Sequence, residues 1–344
     1  MSITFSAALQ RLIEKSDLTH SEMTAIFGQL MRGELTPAQI AGFAVALRAK
    51  GETVDEVAAA AGVMRELVTP VTLPATHADK LVDLCGTGGD GAHTFNISTA
   101  AMFVAAGAGV TVAKHGGRSV SSSSGSADVL EAAGVNINLK PEQVGQCIQT
   151  CGIGFMFAPN HHGAMKHAAP VRRELGVRTV FNILGPLTNP AGAKRQVMGV
   201  FRKGFTRLQA EVLQKLGSTH VMVVHGHGGM DEMTLSGPTH VAELKNGTVT
   251  EYEVTPESVG LQTQPHDSMK VQSAADSLTI IRQVLQNQPG AARDIVLLNA
   301  GAAIYVGGLA ATLKEGVDKA RASIESGAAA RSFEGFSRVT SSAT

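Results

Sequence analysis

The sequence predicts an α/β protein: a small N-terminal helical domain, then a larger domain with a mainly parallel sheet, an antiparallel edge and flanking helices. Three observations predict it. Helix-start signals recur through the first 70 residues, ahead of apolar residues spaced three and four apart, with no strand pattern among them. From Lys80 onward short apolar runs alternate with helical stretches. Asn246-Gly247 stands between two strand-like runs, as a two-residue hairpin requires.

In chain order, Thr19 with Glu22 and Thr53 with Glu56 have capping-box spacing, and Thr36 before Pro37 places an N-cap ahead of a first-turn proline. Gly51 closes the third of four helices and Pro70 follows the fourth. The helical domain is expected over 1–72, with a helical segment near 165–190 packing on it, and the α/β domain over 73–344. Within the latter, strands are expected at 81–84 and 110–113, each followed by a helix, at 96–106 and 126–133. Further strands fall at 154–157, 197–201 and 221–224, and helices at 165–174 and 205–216. The hairpin pairs 241–245 with 248–252. Residues 274–329 read as helical, and the Ser/Thr-rich tail beyond Arg338 as frayed.

Composition narrows the function. With 44% apolar and 17% charged residues the chain packs a core and is not a disordered one. Lys plus Arg and Asp plus Glu number 29 each, so no overall positive field draws it to nucleic acid or an anionic membrane. Cys85, Cys147 and Cys151, an odd number, read as reduced thiols of a cytoplasmic protein. The first 15 residues carry Arg11, Glu14 and Lys15, which rules out a secretory signal. The uncharged run 100–113 is shorter than the roughly 20 residues of a membrane span.

The chemistry concentrates at strand ends. Asp83-Leu84-Cys85-Gly86-Thr87-Gly88-Gly89-Asp90-Gly91 follows a strand, and Asn96-Ile97-Ser98-Thr99 opens a helix. Glycines permit positive φ and close approach, and a helix N-terminus presents free N–H groups, so the segment is a phosphate cradle. Its spacing matches neither a P-loop nor a Rossmann fingerprint. The next strand leads into Lys114-His115-Gly116-Gly117-Arg118-Ser119 and a run of serines, a second anion-binding loop on the same carboxyl edge. Asp231-Glu232 follows a third strand, and adjacent carboxylates there suit magnesium, which keeps phosphate oxygens and waters in its shell. His161, His162 and His167 raise the alternative of a zinc cluster, and Cys147 with Cys151 that of two thiolates one helical turn apart.

With these motifs stand Asn160-His161-His162, Ala169-Pro170-Val171-Arg172 and the stretch from Phe181 to Pro190 (FNILGPLTNP). In this order the set resembles anthranilate phosphoribosyltransferase over nearly the whole chain. The resemblance implies transfer of the 5-phosphoribosyl group from 5-phosphoribosyl diphosphate to the amine of anthranilate, in tryptophan biosynthesis, with two Mg2+ per active site and a homodimer formed through the helical domain. It implies donor binding by Gly86, Gly89, Asp90, Thr94, Asn96, Ile97, Ser98 and Thr99. Lys114, His115, Gly116, Gly117, Arg118, Ser119, Ser121, Ser122 and Ser126 would close over the donor. Ser98, Asp231 and Glu232 would hold metal. Gly86, Gly117, His162, Arg172 and Pro186 would meet anthranilate. No residue is assigned as acid or base.

The chain departs from the family's usual pattern at Gly117, where an asparagine is usual, at Ser123, often lysine, and at Gly228, often acidic. A pyrimidine nucleoside phosphorylase shares the implied architecture, but the GTGGDG loop and the Asp-Glu pair favour a diphosphate donor. A non-catalytic nucleic-acid-binding relative is disfavoured by the zero net charge.

Overall fold

The computed structural model describes residues 3–119 and 123–342. Four helices come first, α1 (Phe5–Ile13), α2 (His20–Arg32), α3 (Pro37–Lys50) and α4 (Val54–Leu67), followed by the short α5 (Ala75–Ala78). Thr19, Thr36 and Thr53 each accept the N–H three residues on, and Glu22, Gln39 and Glu56 reach back to the cap's own N–H. Then come β1 (Leu81–Gly86), α6 (Ile97–Gly107), β2 (Thr111–Gly116), α7 (Ser126–Ala132), α8 (Pro141–Cys151), β3 (Ile153–Phe157) and α9 (Ala158–His161). They lead through α10 (Ala169–Leu175) and α11 (Phe181–Leu184) to β4 (Arg195–Gly199), α12 (Phe205–Lys215), β5 (His220–Gly226), β6 (Thr239–Lys245) and β7 (Thr248–Val254). Helices α13 (Ala274–Leu285), α14 (Ala291–Val306), α15 (Leu313–Glu325) and α16 (Ala328–Ser342) complete the chain.

The seven strands form one sheet in the order β3-β2-β1-β4-β5-β6-β7. The first five in that order run parallel, and β6 and β7 add the antiparallel edge. Asn246 and Gly247 turn the edge hairpin with φ of 52° and 74°, the positive values a primed two-residue turn needs. Alternate side chains of the strands enter two cores. Val82, Leu84, Val197 and Met222 pack with α6 and α14, whereas Cys85, Met198, Val221 and Val223 join α12 and the N-terminal helices in a second cluster. The helical bundle is therefore seated on one face of the sheet by continuous apolar packing.

Two expectations are corrected. The tail beyond Arg338 is not frayed: α16 continues to Ser342 because Phe336 and Thr340 are buried, with Phe336 against Phe103 of α6. The single helix expected over 165–174 divides into a 3-10 turn (Gly163–His167) and α10, whose first turn holds Pro170; a proline there lacks the N–H that a continuous helix would use.

Candidate active site

Strand order reverses at β1, which has β2 on one side and β4 on the other, so the loops leaving β1 and β4 part and open a crevice at the carboxyl edge. Four of the parallel strands end there in glycine: Gly86, Gly116, Gly199 and Gly226. At Gly86, Gly199 and Gly226 the absent side chains make room for the Asp231-Glu232 segment, and at Gly116 for Ser126. A Cβ on Gly86 would collide with the Asp231 carboxylate, one on Gly199 with the Asp231 carbonyl, and one on Gly226 would lie 2.6 Å from the Glu232 carbonyl.

The loop from β1 to α6 forms one wall. Gly88, Gly89 and Gly91 have φ of 67°, 75° and 74°. Thr87 ties its start to β4: its N–H donates to the Gly199 carbonyl at 2.9 Å and its hydroxyl accepts from Phe201 N–H at 3.2 Å. The Gly88 N–H donates to the Asp231 carboxylate at 2.7 Å. Among the described residues, the amides of Gly89, Asp90 and Gly91 donate to no protein acceptor, which leaves three consecutive N–H groups for an anion. Thr94 forms an isolated bridge with Lys270 that closes the loop.

At the start of α6, Asn96 does not cap the helix with its side chain. Its amide donates to the Ser124 carbonyl, and its Oδ1 accepts from the hydroxyls of Ser124 and Ser277, at 2.7–3.0 Å. Asn96 thus fastens the two anion-binding loops to each other. Ile97 is buried, anchoring the first turn, and the Thr99 hydroxyl is buried with no partner among the described residues. Ser98 N–H donates to Glu232 at 3.2 Å, and Ser98 Oγ accepts from Lys114 Nζ at 3.1 Å.

Asp231 and Glu232 are therefore drawn over the glycine loop and the helix N-terminus. Desolvation, then repulsion by Asp90, raises the Asp231 pKa; desolvation, then Asp231, raises that of Glu232. Neither forms an ion pair with Lys or Arg among the described residues. Among the described residues, no group of three or more His, Cys, Asp and Glu side chains converges there into an all-protein cage. Two crowded, desolvated carboxylates, their charge eased by Lys114 near Glu232, fit magnesium, whose remaining ligands come from phosphate and water.

Lys114 is 2% exposed, and its ammonium donates to the Leu84 carbonyl as well as to Ser98. Buried Asp83 fixes this part of β2: it accepts from His115 N–H at 3.1 Å and from the Asn189 amide at 2.8 Å, and Asn189 also donates to the Ala113 carbonyl. Burial lifts the Asp83 carboxyl to about 6 against these hydrogen bonds. Beyond Gly116 the loop turns back on itself, with Gly117 accepting from Ala127 N–H and Ser126 Oγ. Arg118 is held on α7 by Asp128 and Glu131, and Ser119 N–H donates to Asp128. Its guanidinium is thus committed to α7 acids. Ser121 and Ser122 lie outside the described residues.

The opposite wall is the segment from α9 to α11. His162 follows α9, and its Nε2 lies 3.1 Å from His115 Nε2. Burial holds both imidazoles neutral, His162 with a pKa lowered to about 4 and His115 well below its ordinary value. Arg172 on α10 is half-buried; its guanidinium lies 5.7 Å from the Phe181 ring centroid and has no hydrogen bond or ion pair among the described residues. Burial lowers its pKa, and an incoming carboxylate would find an unshared planar donor. Pro186 is buried in a 3-10 turn (Gly185–Leu187), its carbonyl accepting from Gln196. The three histidines do not form a zinc site: His161 bonds the Thr69 carbonyl, His162 faces His115, and His167 packs on Gly33. Cys147 is buried and Cys151 half-buried on α8, away from this edge.

Sequence reasoning missed Gly199, Asn189, Ser124, Ser277 and Arg178. Gly199 alone left a local signal, as one of four strand-ending glycines; the others act across long sequence separations.

The glycosyl transferase family, a/b domain, matches residues 78–330, and the glycosyl transferase family, helical bundle domain, matches residues 6–68. Anthranilate phosphoribosyltransferase of Thiobacillus denitrificans is 62% identical over 327 residues, 95% of each chain. That of Methylibium petroleiphilum is 59% identical over 338 residues, 98% of each. Among solved structures, anthranilate phosphoribosyltransferase from Thermus thermophilus is 44% identical with a TM-score of 0.91, covering 97% of this chain and 99% of that one. The Saccharomyces cerevisiae enzyme, in complex with PRPP and Mg, is 28% identical with a TM-score of 0.86 over 98% of each chain. The chain belongs to the anthranilate phosphoribosyltransferase family.

Proposed function

We propose that the β1/β4 crevice is where this member of the family transfers the 5-phosphoribosyl group from 5-phosphoribosyl diphosphate to anthranilate, giving N-(5-phosphoribosyl)anthranilate and diphosphate for L-tryptophan biosynthesis. The observation that carries the assignment is the Asp231-Glu232 pair folded onto the Gly88 and Ser98 amides, beside three unpartnered amides.

The anthranilate nitrogen lone pair forms a bond to ribose C1, the C1–O electron pair departs with diphosphate, and one N–H proton is released. The loop amides, Lys114 and the N-terminus of α6 stabilise the negative charge of the leaving diphosphate. Arg172 holds the acceptor carboxylate, and neutral His162 with Pro186 shapes its route, so the amine is oriented toward C1. No side chain is assigned as acid or base. Ser98, Asp231 and Glu232 would hold two Mg2+ per site, which would neutralise charge on the donor's diphosphate.

The division near residue 72, with the 165–190 segment belonging to the helical unit, is supported by packing of the Gly163–His167 turn on α2 and of α10 on α3. Homodimerisation through that unit belongs to the same proposal. A cytoplasmic location accords with three free cysteines and with the absence, among the described residues, of a helix able to cross a membrane.

The test is direct. Purified protein mixed with 5-phosphoribosyl diphosphate, magnesium and anthranilate should consume anthranilate fluorescence, and no loss would overturn the assignment.

A further inference from the structure

Arg178 lies beyond α10, three residues before α11, and is exposed. Its guanidinium nevertheless has two specific partners on the other wall of the crevice. It donates to the Gly89 carbonyl in the glycine loop, and it lies over the Phe201 ring, 4.1 Å from the centroid. Phe201 is fixed in turn by its N–H bond to the Thr87 hydroxyl at 3.2 Å, and Thr87 N–H is bound to the Gly199 carbonyl. Thr87 and Gly88 are thus tethered by β4 and Asp231. Among the described residues, Arg178 is the tether that reaches the loop from the acceptor segment.

The peptide geometry gives this contact a consequence. The Gly89 carbonyl and the Asp90 N–H belong to one planar trans peptide and point in opposite directions. Holding the carbonyl on Arg178 therefore turns the Asp90 N–H away from Arg178. That N–H is one of the three that donate to no protein acceptor among the described residues. Gly89, with φ of 75°, adopts this orientation at low cost, whereas a Cβ there would lie 3.3 Å from the Arg178 guanidinium.

We propose that Arg178 is a positioning residue for the transfer: stacked on Phe201, it holds the Gly89–Asp90 peptide so that the glycine loop presents its free amides to the diphosphate donor. The proposal rests on the donor assignment given above. Arg178 touches the loop and not the reacting atoms, and most of the charge its loop amides meet is already on the diphosphate of the bound donor, so its loss falls mainly on donor binding and little on kcat. A lysine keeps the charge but has no plane to stack on the ring.

The experiment measures binding of 5-phosphoribosyl diphosphate with magnesium to the full-length protein by calorimetry, together with steady-state kinetics and melting temperature. Arg178→Ala should raise the donor Kd and KM about tenfold, keep kcat within about twofold and keep Tm within about 1 °C. Arg178→Lys should recover less than half of the lost affinity on a logarithmic scale. Phe201→Leu alone should raise the donor Kd about threefold and add nothing further in the Arg178→Ala background, because the ring acts through the guanidinium. An unchanged donor Kd in Arg178→Ala would overturn the proposal, as would full recovery by lysine or additive effects in the double variant. A fall in kcat matching the rise in Kd would place Arg178 at the reacting atoms and overturn it equally. If the wild-type protein itself binds no donor, the donor assignment fails first; if it binds and the variants bind alike, only the role of Arg178 fails.

Discussion

The two walls of the crevice are made of different material. The wall proposed for the donor is mostly backbone: strand-end glycines, amides of the β1–α6 loop and the first turn of α6, with Lys114, Asp231 and Glu232 as its charged side chains. The acceptor wall is mostly side chains, Arg172, His162 and Pro186, carried on short helices and 3-10 turns broken by Pro170, Gly176 and Gly185. A highly charged ligand is well met by many fixed dipoles that need no reorganisation, whereas a small aromatic acid is selected by one planar cation and the shape of a few rings. The strand-end glycines Gly86, Gly199 and Gly226 should therefore tolerate almost no added volume, and the acceptor wall should change affinity without collapsing.

The largest effect is expected where charge is removed from the donor wall. Asp231→Ala combined with Glu232→Ala should lower kcat/KM about a thousandfold. Circular dichroism should show a folded protein, since among the described residues the pair forms no ion pair with Lys or Arg that folding would lose. Retained activity would remove the metal role.

Gly199→Ala tests the close approach of backbone to backbone. The added methyl would collide with the Asp231 carbonyl, and main chain cannot swing aside as a side chain does. Displacement of the pair by about 1 Å should cost about a hundredfold in kcat/KM. Overpacking should cost about 1–3 kcal/mol in denaturant unfolding. Wild-type kinetics in this variant would show that the glycine is not needed for the fit.

On the acceptor wall, Arg172→Ala should raise the anthranilate KM roughly tenfold to a hundredfold while the donor KM stays within about twofold. Equal damage to both constants would erase the distinction between the walls.

A smaller effect concerns His162. Its folded pKa of about 4 lies below its ordinary value of 6.5, so between those values the unfolded chain binds more protons and stability rises with pH. Above 6.5 the contribution is constant. His162→Asn should flatten part of the Tm profile between about pH 4 and 6.5 relative to wild type; identical slopes would place the imidazole in a solvated setting. The smallest change is expected for Gly117→Asn. No atom lies within 4 Å of a Cβ built there, so stability should move by less than about 0.5 kcal/mol. An amide restored at this position should lower the anthranilate KM about twofold to fivefold, and a raised KM would show that the loop path excludes it.

The same contrast governs what was legible beforehand. Capping boxes at Thr19 and Thr53, the N-cap at Thr36, the Asn246-Gly247 turn and the glycine loop all express preferences of φ, hydrogen bonding or side-chain period within a few residues, so the helical domain, the sheet and the glycine-loop crevice were readable from sequence. Asp231 and Glu232 were singled out as a candidate metal pair by chemistry, and Arg172 as a candidate cation for the acceptor by resemblance. The helical tail was misjudged because the burial of Phe336 against Phe103 outweighs the weak helix propensity of its serines and threonines.

The sequence by itself determined which residues turn, cap and alternate, and with them the kind of anion this chain holds. Only the tertiary structure decided which groups meet there: Asp231 on Gly88 across 143 residues, Asn189 on Asp83 across 106 and Arg178 on Gly89 across 89. Those meetings depend on the strand order of the sheet and on the space its terminal glycines leave, and neither is a property of any short stretch of chain.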